Sequence, residues 1–370
     1  MRAVCPDMYF VGMVTYIMNG RYAILVFFFT LSCSSGGNSE RSEDEAVFGD
    51  VFLLEKAEEQ QTRERVWKDV SVSKLYELAA DEDIVLYDPG YIIPDPNGDV
   101  YVVDYGIYEV LRFDSEGNYI RSYGDGIGRA PGEFVSITNV EVTTDSLMYV
   151  TDPNNWRISS FSKATGKFVD SRAFGRQEAP TRHAITDTGK EYILRMFNKL
   201  FFESNYGGKS VEFGELLEGD PSVLPSNLLA DGMFDTYKDW LVYVPFRFPV
   251  IMIYDVNGTL LRAKKTMTFD RFEEPELVPD VTNGIASYIV EGSNVNGPYM
   301  SIVGDELFLQ SLESRGDSGI IVDVYEAGSA EYKYSFRIDY KASFITNDRI
   351  YQIDGDAVVT VNSYSINGSS

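Results

Sequence analysis

A single histidine, His183, stands among the 370 residues, together with two cysteines, Cys5 and Cys33. A zinc centre that needs several imidazoles is therefore excluded within one chain. His183 falls near the start of a repeat unit, where a single imidazole reads as a packed or surface residue before it reads as an acid or base. No serine sits in a Gly-x-Ser-x-Gly elbow, so no activated nucleophile is announced. Oxygen ligands are more plentiful. Asp104 and Asp152 recur at one repeat position, where carboxylates either hold calcium or accept hydrogen bonds from turn amides; the turn role already explains their recurrence. A third group is of the binding type: Tyr105, Arg129, Trp156, Arg247, Phe248 and Arg315, with Tyr108, Asn155 and Phe246 beside them. Tyr, Trp and Arg are enriched where surfaces bind, and aromatic platforms suit sugars, the alternative being packing between elements. These residues are the ligand-binding candidates; no catalytic residue, metal ligand or cofactor is assigned.

The elements that carry them repeat. Gly98–Asp104, Glu109–Phe113 and Gly117–Gly124 return as Leu147–Asp152, Arg157–Phe161 and Gly166–Gly175, with Tyr101 and Tyr149, Asp104 and Asp152, and Phe113 and Phe161 each offset by 48 residues. A period of about 40 to 50 residues signals a solenoid, propeller or array. Each copy holds short runs of Val, Ile, Tyr and Phe between turn clusters such as Asp-Pro-Asn-Gly and Ser-Glu-Gly-Asn, which makes it a four-stranded antiparallel sheet. One such sheet cannot cover both its faces, so the copies must pack around an axis.

Further second strands follow at Tyr192, Tyr243, Phe308 and Tyr351, spaced from Tyr101 and Tyr149 by intervals of 48, 43, 51, 65 and 43 residues. The expected fold is thus all-β: a six-bladed β-propeller of four-stranded antiparallel blades over residues 71–370, with the long interval holding an insertion at Met267–Pro298. The last repeat stops short of a fourth strand, so an N-terminal strand must close the ring. Lys74–Leu78 is the choice and Val51–Leu54 the second candidate. Residues 34–70, with Gly36-Gly37 and a dense acidic run, read as a tether. In such blades the loops after the second and fourth strands share one face, and the binding-type residues and the insertion all fall in those loops.

Residues 1–33 carry the address. Tyr22–Leu31 is an apolar run preceded by Asn19-Gly20-Arg21 and followed by Ser32-Cys33-Ser34-Ser35-Gly36-Gly37, the layout of a secretory signal and too short to span a bilayer comfortably. Met18 makes a better start than Met1. Cys33 resembles the lipobox cysteine of bacterial lipoproteins, whose thiol is acylated; a plain cleaved signal or a membrane-anchoring segment is the alternative. With Cys5 removed, no intramolecular disulfide is available. The formal charge of −25 and pI near 4.4 argue against a nucleic-acid partner and against adhesion to anionic lipid, leaving a lipid anchor as the membrane contact. A solvated acidic surface suits an extracytoplasmic protein.

Gly98–Gly175 resembles consecutive NHL-type repeats, and Gly124-Asp-Gly-Ile-Gly-Arg-Ala-Pro-Gly-Glu-Phe134 is similar to the Gly-rich linker between blades of that group. With its leader, the chain resembles the six-bladed β-propeller lipoproteins of Gram-negative bacteria. That resemblance implies a cell-envelope location at the outer membrane, periplasmic or surface-facing. The expected function is a binding or scaffold module for a glycan, peptide or envelope partner protein. The alternative is a calcium-assisted hydrolase or lyase of the NHL or lactonase-like type, and stoichiometric bound calcium would separate the two.

Overall fold

A computed structural model describes residues 9–18, 21–30 and 57–367, apart from 80–83, 145, 196–199, 215–230, 270–275, 283–284, 292–294, 312–318 and 339–343. Cys33, residues 34–56 of the expected tether, and Arg315 lie outside the described residues.

Six four-stranded antiparallel sheets form a β-propeller. Strands β1 (Tyr9–Met18) and β2 (Arg21–Thr30) pair as a separate hairpin, and β3 (Asp69–Glu77) precedes the first blade. Blade one holds β4 (Pro89–Pro94), β5 (Val100–Asp104), β6 (Glu109–Phe113) and β7 (Tyr119–Tyr123). Blade two holds β8 (Asn139–Val142), β9 (Leu147–Asp152), β10 (Arg157–Ser162) and β11 (Phe168–Ala173). Blade three holds β12 (Arg182–Ile185), β13 (Glu191–Leu194), β14 (Phe202–Tyr206) and β15 (Lys209–Phe213). Blade four holds β16 (Gly232–Tyr237), β17 (Trp240–Pro245), β18 (Val250–Tyr254) and β19 (Leu260–Lys265). A second hairpin, β20 (Glu276–Thr282) with β21 (Ile285–Glu291), follows within the long interval. Blade five holds β22 (Asn296–Val303), β23 (Glu306–Ser311), β24 (Ile320–Glu326) and β25 (Tyr332–Ile338), and blade six β26 (Phe344–Ile345), β27 (Arg349–Ile353) and β28 (Val359–Asn367).

Middle strands are sandwiched between neighbouring blades, which is why β5 and β18 are buried throughout and apolar except for Asp104 at the end of β5, whereas at the outer edge β7 is mostly half-buried and β11 largely open. Aromatic second-strand residues Tyr101, Tyr192, Tyr243, Phe308 and Tyr351 are all buried. Apolar clusters fill the junctions between blades six and one, one and two, three and four, four and five, and five and six. In blades one, two and four the turn between third and fourth strands docks against the outermost strand of the preceding blade. A Cβ on Gly117 would lie 2.8 Å from the Tyr76 ring, and one on Gly166 2.8 Å from the Ser122 carbonyl; both glycines also have positive φ, at 91° and 75°.

Closure comes from the N-terminal side. The sixth sheet has the order β26-β27-β28-β3, with Thr360 opposite Glu77 and Asn367 opposite Asp69. The closing strand contains most of the expected Lys74–Leu78 and starts earlier, at Asp69; Leu78 is buried and its amide donates to the Val359 carbonyl at 2.8 Å.

The expected tether is corrected from Ala57 onward. Ala57 is buried, and the Glu58 amide donates to the Ala263 carbonyl at 2.8 Å while its carbonyl accepts from Lys265 at 2.9 Å. The Gln60 amide group spans to the carbonyls of Lys265 and Ala330, and the Ser335 amide donates to the Val66 carbonyl at 2.9 Å. Arg65 clamps Asp323 through two bonds of 2.8 and 3.0 Å. This stretch is a strap over the outer edges of β19 and β25, covering backbone groups that an edge strand would otherwise expose. Its acidic composition suggested solvent, but backbone pairing and the Arg65–Asp323 pair decide its place.

Arg65 and Asp323 are only 10% and 1% exposed at their side chains. Removing one partner leaves a buried charge, so Arg65→Leu is expected to cost about 3–5 kcal/mol in denaturant unfolding. Replacing both residues, Arg65→Leu with Asp323→Leu, should recover most of that loss.

Candidate functional site

The recurrent aspartates are turn anchors. Asp104 accepts from the amides of Tyr87, Asp88 and Gly106 at 2.7–2.9 Å. Asp152 accepts from the amides of Val135, Ser136 and Asn155 at 2.8–3.1 Å and from the Asn155 side chain at 2.8 Å. Each ties the loop after its second strand to the linker entering its own blade. Their oxygens are occupied by amides, which supports the turn reading over calcium. Among the described residues, no group of three or more His, Cys, Asp or Glu is placed to hold a metal ion.

His183 is fully buried between blades two and three, with Nε2 2.9 Å from Glu191 Oε1 and its ring edge-on to Tyr149. Around it runs an ionic seam. Arg172 of β11 reaches Glu191 and Glu203 of blade three at 2.8 and 2.9 Å, and Arg195 pairs with Glu203 and Glu212. Burial raises the Glu191 and Glu203 carboxyls, but hydrogen bonds from His183 or Asn205 and the arginine charges outweigh it and hold both below the usual range.

The binding candidates separate into groups. Arg129 is exposed on the linker between blades one and two, its guanidinium 3.4 Å from the Asn154 carbonyl, and Trp156 is 38% exposed on the following loop. Asn155 is spent on Asp152 and on the Gly128 carbonyl. Arg247 is partly buried. Phe248 is corrected: it is buried in the core between blades three and four with Tyr243 and Met252, because the β17–β18 connection turns its ring inward.

Tyr105 belongs to a constellation on the ring axis that its loop position alone did not reveal. Its hydroxyl donates to the Ile137 carbonyl at 3.1 Å, and its ring stands edge-on to Tyr108. Tyr91 of β4 and Tyr299 of β22 share its surroundings, and the Tyr299 hydroxyl donates to the Gly90 carbonyl at 3.4 Å, from blade five to blade one. Arg182, opening β12, lies 3.5 Å from Asp231 and 5.7 Å from the Phe246 ring centre. Burial raises the Tyr91 and Tyr105 phenols well above the usual range, while the Arg182 charge opposes the shift. The result is an axial wall of phenol rings and one guanidinium on the face of the second- and fourth-strand loops.

Deeper along the axis the chemistry changes sign. The Ile185 amide, at the far end of β12, donates to Glu141 of β8 at 3.5 Å, which puts Glu141 about 10 Å below Arg182 at strand rise. Asp235 of β16 accepts from the amides of Thr236 at 2.7 Å and Ile302 at 3.2 Å. Burial, with repulsion from Asp235, pushes Glu141 up to about 8, and burial pushes Asp235 up to about 6. Tyr91, Glu141, Arg182, Asp235 and Tyr299 were missed in the sequence. Their only signal is a polar residue or tyrosine inside the first strand of the first five repeats.

No protein-family profile and no curated protein matches the sequence. Among solved structures, the chain is similar to a candidate exported protein of Bacteroides fragilis, at 9% identity and TM-score 0.54, covering 84% of this chain and 99% of that one. It is also similar to a member of the DUF4221 family from Bacteroides vulgatus, at 13% identity and TM-score 0.47, over 82% and 99% of the two chains. Virginiamycin B lyase from Staphylococcus aureus aligns at 11% identity and TM-score 0.47, over 80% and 99%. At such identities the likeness is one of fold.

Glu141 gives a pH prediction. Its folded-state value of about 8 exceeds the ordinary 4.5, so the folded protein keeps a proton that the unfolded chain releases. That contribution to stability is full below pH 4.5 and is lost as the pH rises through about 8. Glu141→Gln is expected to flatten the decline in unfolding free energy between pH 5 and about 8, read from denaturant titrations across that range.

Proposed function

We propose that the chain is an exported β-propeller of the bacterial cell envelope, lipid-anchored through Cys33 at the outer membrane, and that it acts as a binding or scaffold module for a glycan, peptide or partner protein. The observation that carries the reading is the axial group of partly exposed tyrosines, Tyr91, Tyr105 and Tyr299, beside Arg182. Phenol rings and a guanidinium supply stacking area and directed hydrogen bonds at low conformational cost, which is the chemistry of recognition surfaces. The loops rimming this face add Arg129, Trp156 and Arg247, and the β20–β21 hairpin leaves the ring between a fourth and a first strand, on the same side. Functional specificity gathers on loops held by a rigid scaffold. The signal-like leader, the lipobox-like Cys33 and the acidic composition support the address, as does the fold shared with the Bacteroides fragilis protein.

Glycan arrays and peptide libraries probed with the full chain test the assignment. A ligand found this way is expected to bind at least ten-fold more weakly to Tyr299→Ala and to Trp156→Ala, with melting curves retained. Substitution on the opposite face, as in Glu116→Ala, should leave binding unchanged; the reverse pattern would contradict the assignment.

A further inference from the structure

Between the inner strands of blades five and six lies a crevice lined by Tyr299, Ser301, Phe308, Gln310, Val322 and Phe344. Gln310 is 8% exposed, and its Oε1 is buried without a hydrogen-bond partner among the described residues. A buried amide carbonyl left unpaired is costly, so Oε1 is open to a further donor. The approach is fixed by the backbone, since Gly297 lies against the Gln310 side chain and a Cβ there would come within 2.6 Å of it. Ser301 is already committed, its hydroxyl donating to the Ile345 carbonyl.

Three features define what enters. The space holds about one water-sized group, so the donor must end its branch of the ligand. A backbone peptide N–H, with chain on both sides, does not meet that condition, whereas a free hydroxyl does. Among the described residues no carboxylate lines the crevice, so a buried ammonium would lack a counter-charge there and a neutral donor fits. Tyr299 and Phe344, on the innermost strands β22 and β26, flank it with rings that pack against C–H surface. We infer that this crevice is a carbohydrate subsite, in which a sugar hydroxyl donates to Gln310 Oε1 while the apolar face of the sugar ring rests on Tyr299. The inference rests on the proposed reading of the axial face as the ligand-binding face and narrows its ligand to a glycan.

The test uses the full chain with methyl glucoside, methyl galactoside, methyl mannoside and N-acetylglucosamine, screened by saturation-transfer NMR. At least one sugar is expected to bind, with affinity reduced ten-fold or more in Gln310→Met, which keeps side-chain length but has no acceptor. Without sugar, Gln310→Met should melt at a higher temperature than the wild type, because the orphaned carbonyl is gone. Phe344→Leu should weaken sugar binding as well, a readout that stands if Gln310→Met folds poorly. Sugar binding unaffected by either substitution would overturn the inference. So would a lower melting temperature for Gln310→Met together with a crystallographic water on Oε1, since water would then be the partner. Peptide binding that depends on Tyr299, with every sugar inert, would keep the proposed face and reject the carbohydrate.

Discussion

Pairing of β3 with β28 brings the N-terminal side of the ring to its C-terminal strand, and the other junctions depend on it. Each sheet presents two faces, and each is covered only because its neighbours are in place. Tyr351, Ile353, Val359 and Val361 of blade six lie in one cluster with Leu78, Ile92, Val100 and Leu111 on the blade-one side. Without β3, β28 would be an open edge and that junction would lose the strand leading into blade one. The strap from Ala57 extends the same device over blades four and five, so the N-terminal segment binds the outer rim of three successive blades.

Closure also fixes the axis. Once six inner strands are held in a ring, residues from five different blades meet there, with tyrosines and Arg182 at one level and Glu141 with Asp235 further along. No single blade contains this arrangement. The seam between blades two and three differs from the apolar junctions, since its contacts run through Arg172, Glu191, Glu203, Arg195 and His183. Glu191 and Glu203 have depressed pKa values, so their contribution is present above the ordinary carboxylate range and is lost as the pH falls through their folded values. The axial pair has the opposite sign and loses its contribution as the pH rises. Stability is thereby pulled from both sides toward mildly acidic conditions.

The repeat was legible because strand and turn chemistry are local. Tyr101 and Tyr149 occupy equivalent second strands, and the Asp104 and Asp152 anchors accept turn amides as their spacing implied. The need for a closing strand was legible from the missing fourth strand of the last repeat, although its start at Asp69 was not, because Val70 and Val72 gain their places only opposite Ile366 and Tyr364. The strap was misread since its partners, Lys265, Asp323 and Ser335, are some 200 residues or more away along the chain. Phe248 looked like a loop aromatic and proved to be core, an outcome set by how Phe202 and Tyr243 pack across blades three and four. The axial residues escaped notice for the same reason: which side of an inner strand faces the axis is decided by the neighbouring blades.

Hydrogen exchange resolved to single amides measures closure most directly. If β3 completes the sixth sheet, the paired amides of β3 and β28 exchange only with global opening, at the same rate as those of the buried strands β5 and β18. Rapid exchange along β28 and β3, with β5 and β18 still protected, would show a ring that stands without its N-terminal strand and would contradict the account.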